Sequence, residues 1–151
     1  MEENGSEVMI VSADLSCSEQ MEEAIARIRA RFGKINGVIH AAGIADYEGI
    51  IQNRTKEMSE KILAPKVKGT LILDSLLEDE ELDFLVLFSS NGNMSYHYKF
   101  GQVSYNAANE FLDAYANYKR ASSKAYTVSI NWCDWKDVGM SVEAAEKWGN
   151  G

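Results

Sequence analysis

The 151-residue sequence predicts an α/β fold with a doubly wound parallel sheet, and two observations support this prediction. Short apolar runs that read as strands alternate with longer stretches in which apolar residues recur every three or four positions, as they do in helices. The order strand then helix repeats along the chain, which is typical of parallel sheets with helices on both faces. We therefore expect one partial domain of about four strands with flanking helices.

The first predicted unit is a strand at 8–13 followed by a helix. The helix stripe consists of Met21, Ala24, Ile25, Ile28 and Phe32. Ser16 and Glu19 fit the capping-box pattern, in which each side chain bonds the backbone near the helix start. Gly33 follows the stripe, where a left-handed residue commonly ends a helix. The sequence thus predicts both ends of this helix.

The second and third strands are predicted at 35–40 and 82–88. The first of them runs into a turn of small residues at 41–43. The other, LDFLVLF, is nearly all apolar, as expected for a strand that is covered on both faces, and Ser89 and Ser90 end it.

The remaining elements are two helical regions and a last strand, at 126–132. A helical pattern from 55 to 76 contains the single proline, Pro65, which we expect to kink it or divide it in two. The region 103–119 carries an apolar stripe. Its members are Ala107, Phe111, Ala114 and Tyr118.

Composition excludes several functional classes. The chain has 15 Lys and Arg against 23 Asp and Glu, and the net charge of −8 disfavours nucleic acid and anionic membranes as partners. No apolar run approaches the roughly 20 residues of a membrane helix, and we expect a cytoplasmic protein. Cys17 and Cys133 are too few and too far apart for a disulfide framework, and no Cys/His spacing predicts a metal site.

Ligands of such sheets bind at the carboxyl ends of the strands. The residues there include Asp14, the stretch 40–43 and Ser90. Tyr105 and Asn109 are four residues apart, on one face of the helix that follows the strand ending in Ser90. With Lys66, these positions would bring a phenol, a hydroxyl, an amine and an amide together.

Five blocks of sequence, in order, resemble the ketoreductase domains of modular polyketide synthases, which belong to the short-chain dehydrogenase/reductase superfamily. The blocks are HAAG at 40–43, PKVKGT at 65–70, LDFLVLFSS at 82–90, GQVSYNAANEFLDAYA at 101–116 and SINWCDW followed by VGM at 129–140. The resemblance implies a Rossmann-like fold and covers nearly the whole chain from residue 8 to residue 140.

The resemblance also implies a reaction. A β-ketoacyl thioester on an acyl carrier protein would be reduced to a β-hydroxyacyl thioester with NADPH. Tyr105 resembles the proton donor, and Ser90 resembles the hydroxyl that holds the ketone oxygen. Lys66 resembles the ammonium that favours the ionised phenol and steadies the cofactor ribose. Asn109 resembles a member of the proton relay. In this superfamily, most free-standing members carry lysine at the position of Asn109, and its replacement marks the synthase type.

Cofactor binding is assigned by the same resemblance to Asp14, Leu15, His40, Ala41, Ala42, Gly43, Lys66 and Tyr105. Asp14 resembles the residue that bonds the adenine, and the turn at 41–43 would let the cofactor lie close to the backbone. Trp132, Trp135 and Met140 are either core residues or the wall of a substrate pocket.

The sequence also departs from this family. The glycine-rich turn that cradles a cofactor pyrophosphate is absent, so the chain resembles the later, catalytic part of a ketoreductase without its N-terminal part. We expect the isolated chain to be inactive and to bind NADPH weakly. The Leu-Asp-Asp motif of one stereochemical class would fall at 45–47, where Asp46 is the one acid.

Two consequences and two alternatives follow. The absent strands would lie between the strands at 8–13 and 35–40, so these two either pair directly or leave edges through which the chain self-associates. A free-standing reductase is one alternative function. The other is a non-catalytic structural or docking remnant in a megasynthase.

Overall fold

The structure is a computed structural model that describes residues 2–94, 101–140 and 142–143. Its sheet contains three parallel strands, β1 (Gly37–His40), β2 (Phe84–Ser90) and β3 (Tyr126–Trp132), in the order β1-β2-β3. In this register Gly37 lies opposite Phe84, which in turn lies opposite Tyr126. The predicted parallel α/β sheet is therefore confirmed for these three strands.

Four α-helices accompany the described strands. They are α1 (Ser18–Phe32), α2 (Lys56–Leu63), α3 (Lys68–Leu76) and α4 (Val103–Ser122), with short 3-10 turns at Glu2–Asn4, Ile51–Asn53 and Asn91–Asn93. Pro65 lies between α2 and α3, which confirms the predicted division of that region. In the part of the chain that the structure describes, no helix is long and apolar enough to cross a membrane.

The two ends of α1 differ in how well the sequence predicts them. The capping box of Ser16 and Glu19 is wrong, because the helix begins after Cys17 without a side-chain cap. Instead the N–H and the hydroxyl of Ser16 donate to Asp14 Oδ1, at 2.8 and 2.7 Å. The serine side chain therefore bonds the carboxylate of Asp14 and does not cap the helix. Gly33 does end the helix, with a φ of 77° that a side chain would strain.

Residues 8–13 form no strand, and this prediction is wrong. Ile10 in this segment is 90% exposed. A strand requires a neighbour that pairs with its backbone, and none of the three described strands lies beside the segment. The direct pairing with β1 that we considered does not form either, while self-association through an edge stays a prediction.

The core lies between α4 and the sheet, where it is built from Leu85, Leu87, Leu112, Tyr115 and Ala116. Both crossovers step in one direction across the sheet, and right-handed connections then place their helices on the same face. On β1 the side chain of Ile39 is 61% exposed, so the sheet is uncovered at this position. The carboxyl ends of the strands lie beside the start of α4.

Candidate active site

A cleft of about 510 Å³ opens at the carboxyl ends of the three strands. Lys66, Ser90 and Tyr105 line this cleft, although they come from three separate parts of the sequence. Of the residues predicted to hold a cofactor, Ala41 and Gly43 line it as well. The structure thus brings three of the four predicted catalytic side chains to one cavity.

Asn109, the fourth, lies behind the cleft rather than in its wall. It is fully buried on α4, and its Nδ2 donates to the backbone oxygen of Tyr105 at 2.8 Å. Its own backbone oxygen accepts a hydrogen bond from Ser89 Oγ at 3.2 Å. The amide oxygen Oδ1 is buried without a partner among the described residues, which leaves a hydrogen-bond acceptor one helical turn from the tyrosine.

Ser90 is the last residue of β2 and is 4% exposed. Its hydroxyl oxygen accepts a hydrogen bond from the N–H of Gly92 at 3.2 Å. A hydroxyl has one proton to donate, and the bond from Gly92 does not use it. The local turn thus holds the oxygen in place and leaves the proton for another acceptor.

Lys66 places a buried amine at the cleft. Its Nζ donates to the backbone oxygen of Phe88 at 2.5 Å. Burial lowers the pKa of Lys66 to about 8, while the negative charge of Asp113 acts in the opposite direction. Asp113 is itself held by Ser129 Oγ at 2.5 Å and Asn93 Nδ2 at 3.0 Å. At neutral pH the amine is therefore mostly an ammonium.

His40 and Gly43 surround the same lysine at the end of β1. Burial and the charge of Lys66 lower the pKa of His40 to about 4. A hydrogen bond with the backbone of Pro65 acts in the opposite direction but is the smaller effect. The ring is consequently neutral at physiological pH and lies outside the cleft lining. At Gly43 a Cβ would lie 3.0 Å from Lys66 Cε, so a side chain there would crowd the end of the lysine side chain.

The structure does not bring the other predicted cofactor residues to the cleft. Leu15 packs against Gly69 on α3, and Asp14 is exposed, with its carboxylate bonded to Ser16. Ala42 is exposed beyond the cleft lining. Their assignment to cofactor binding stays a prediction.

Aromatic side chains form one wall of the cleft. The ring centroids of Phe88 and Trp132 are 5.2 Å apart, and those of Trp132 and Trp135 are 5.4 Å apart. Met140 lines the same cavity. Of the two alternatives considered for these residues, the structure therefore favours the pocket wall.

Sequence reasoning missed one part of the site. Asp46 stood out only as the remaining acid of a motif, and Arg54 did not stand out at all. Arg54 Nη2 lies 2.6 Å from Asp46 Oδ1, and the two side chains are 4% and 0% exposed. Residues 46 and 54 are separated by a loop without helical or strand periodicity, so no spacing signal connects them.

Comparison with known proteins identifies the family of this chain. A profile of the KR domain, the ketoreductase domain of polyketide synthases, matches residues 1–137. The chain belongs to this family. It is 41% identical over 138 residues to polyketide synthase PksM of Bacillus subtilis, and 33% identical over 141 residues to 6-methylsalicylic acid synthase of Penicillium expansum. These alignments cover 91% and 93% of this chain but 3% and 8% of the two synthases.

Solved ketoreductase structures share the same fold. A ketoreductase domain from the bacillaene assembly line is 35% identical with a TM-score of 0.82, covering 97% of this chain and 36% of that one. An N-terminal ketoreductase from the macrolactin assembly line is 38% identical with a TM-score of 0.79, covering 87% and 27%. The chain thus corresponds to about a third of the length of these ketoreductase structures.

Proposed function

We propose that this chain is the catalytic part of a polyketide synthase ketoreductase, which reduces a β-ketoacyl thioester on an acyl carrier protein to a β-hydroxyacyl thioester. The observation that carries the proposal is the convergence of Lys66, Ser90 and Tyr105 on one cleft, with Asn109 buried behind it. Membership of the KR domain family supports the reaction type.

Tyr105 and Ser90 would act on the ketone oxygen. As hydride reaches the carbonyl carbon, negative charge develops on that oxygen, and the phenol of Tyr105 donates the proton that neutralises it. The hydroxyl proton of Ser90, which its bond from Gly92 leaves available, stabilises the same oxygen. The phenol and the hydroxyl thus have separate tasks at one atom.

Lys66 and Asn109 would support the proton transfer. The ammonium of Lys66 lies in the same cleft as the phenol, and a nearby positive charge favours the anion that remains when Tyr105 gives up its proton. The free amide oxygen of Asn109 accepts a hydrogen bond in the relay that returns a proton to the tyrosine. Both roles depend on groups that are held away from bulk water.

The residues present fit one part of the implied cofactor, NADPH, which supplies the hydride when bound. Gly43 keeps the cavity beside Lys66 open, and that ammonium suits a ribose hydroxyl. The pyrophosphate would need a glycine-rich turn at a helix start, which this sequence lacks. We therefore infer that Lys66 and Tyr105 hold the nicotinamide ribose, while the phosphates depend on another part of the synthase.

The proposal is tested by comparing two tyrosines of α4 in a complete ketoreductase domain that contains this chain. Tyr105→Phe keeps the ring and removes the donor, so ketone reduction should fall by about 10²- to 10⁴-fold while the fold survives. Tyr118, which is 63% exposed, is the matched control, and Tyr118→Phe should retain wild-type activity. Activity is followed as NADPH oxidation with a β-ketoacyl thioester. Equal rates for the two variants would refute the catalytic assignment.

A further inference from the structure

The ion pair between Asp46 and Arg54 stands at the start of the helix that carries Tyr105. We propose that this pair consists of positioning residues, which set the orientation of the Tyr105 phenol for proton transfer without touching the substrate. The inference rests on the proposed function and adds two residues to its machinery.

The carboxylate of Asp46 caps α4 from another part of the chain. Its Oδ2 accepts hydrogen bonds from the N–H groups of Ser104 and Tyr105, at 3.1 and 3.3 Å. These amides belong to the first turn, where backbone N–H groups have no partner within the helix. A negative charge at this end of a helix is also favourable. Tyr105 is the third residue of α4, so the cap holds its backbone directly.

Asp46 is among the residues that line the cleft, but both of its carboxylate oxygens are used by hydrogen bonds within the protein. Oδ1 accepts from Arg54 Nη2 at 2.6 Å and from the N–H of Glu48 at 3.2 Å, and the side chain is fully buried. The residue before α4, Gln102, provides no side-chain cap of its own. The acid therefore acts on the helix start, which has no local substitute for it.

Arg54 connects the cap to both adjoining segments. Its Nη1 donates to Ser104 Oγ at 3.0 Å, its Nη2 donates to the backbone oxygen of Gly101 at 2.5 Å, and its Nε donates to the backbone oxygen of Gly49 at 3.2 Å. A guanidinium makes these bonds in a fixed planar fork, which the single ammonium of a lysine does not reproduce. Loss of either partner would leave a buried charge without its counterion.

The orientation of the phenol depends on this arrangement because the two donors of the site are held by different elements. Ser90 belongs to the end of β2, whereas Tyr105 belongs to the first turn of α4. The position of the phenol relative to the hydroxyl therefore depends on how the start of α4 is held. A displacement of about 1 Å between reacting groups costs on the order of 100-fold in rate. The pair thus sets the geometry on which proton transfer depends.

The experiment uses a complete ketoreductase domain containing this chain, with NADPH and a diffusible β-ketobutyryl thioester. Asp46→Asn keeps the shape and removes the charge, and we expect kcat to fall by about 10- to 100-fold with both KM values nearly unchanged. The solvent deuterium isotope effect on kcat should rise, because proton transfer becomes limiting. Arg54→Lys should show the same signature to a smaller extent.

A loss of folded protein would lower kcat without changing the isotope effect, so this readout separates positioning from simple destabilisation. Hydrogen exchange supplies a second measurement, in which the amides of Ser104 and Tyr105 should exchange faster in Asp46→Asn. The control is Glu60→Gln, which breaks an exposed pair with Lys56 on the neighbouring helix α2 and should change nothing.

The possible failures are distinguishable. An active wild-type domain in which Asp46→Asn has an unchanged kcat and isotope effect would overturn the positioning role alone. Unchanged exchange at Ser104 and Tyr105 would overturn the cap itself. An inactive wild-type domain would overturn the proposed function and, with it, the catalytic meaning of the pair.

Discussion

Lys66 shows how a single side chain acquires its chemistry from its surroundings. It is 5% exposed, and its pKa is lowered because burial disfavours the charged form. The nearby carboxylate of Asp113 partly offsets this effect, so the ammonium persists at neutral pH. As a result, the amine loses its positive charge at a pH just above the physiological range.

Lys66→Met tests this property through the pH dependence of the rate. If the ammonium is the functional form, wild-type activity falls as pH rises through about 8, where the buried amine loses its proton. Lys66→Met should be slower at pH 7 and should lack this alkaline decline. Lys68→Met, at an exposed lysine of α3, should keep the wild-type profile. A Lys66→Met profile that follows the wild type would contradict the role.

Helix α4 contributes buried residues to the core and places the residues of its first turn at the cleft. Its buried residues include Ala108, Leu112 and Ala116. The apolar stripe predicted from the sequence is wrong, because Ala107, Ala114 and Tyr118 are exposed. The first turn of the helix carries Tyr105 into the cleft. The same packing that stabilises the domain therefore places the tyrosine, and loosening the helix would affect both.

Leu112→Ala measures how much this packing contributes. Leu112 has no exposed surface and lies in the core with Leu85 and Leu87, so its truncation should lower the free energy of unfolding by about 2–5 kcal/mol. Leu71→Ala is the matched control, because this leucine of α3 is 50% exposed and should cost well under half as much. Urea denaturation gives both values. A similar cost for the two variants would show that α4 does not anchor the core.

The described residues form an open sheet with a cleft at the strand ends. The proposed catalytic groups and the aromatic wall are at this cleft, but a phosphate-binding turn is absent from the sequence. The net charge of −8 also opposes a polyanion in general. We therefore expect this chain to carry the proposed catalytic groups without binding the cofactor tightly.

Calorimetric titration of the chain with NADPH should accordingly show weak or undetectable binding. The physical reason is that the pyrophosphate has no cradle of backbone N–H groups here. A complete ketoreductase domain that contains the same chain is the control and should bind measurably. Micromolar affinity for the chain alone would show that the cofactor site lies elsewhere than we infer.

Local sequence determined the elements that depend on neighbouring residues. The apolar runs at β1, β2 and β3 predicted strands, Gly33 and Pro65 predicted helix boundaries, and all of these are confirmed. The resemblance to ketoreductase domains, rather than local periodicity, assigned Lys66, Ser90 and Tyr105, which the structure brings to one cleft. The strands and helix boundaries were predictable because backbone conformation and side-chain periodicity are set within a few residues.

Only the tertiary structure decided the features that need a distant partner. The segment 8–13 has the composition of a strand, yet no described strand lies beside it to complete its hydrogen bonds. The pairing of Asp46 with Arg54, and of both with the start of α4, joins residues up to 59 positions apart. Such contacts leave no periodic pattern in the sequence, because chain folding, rather than local spacing, brings the two groups together.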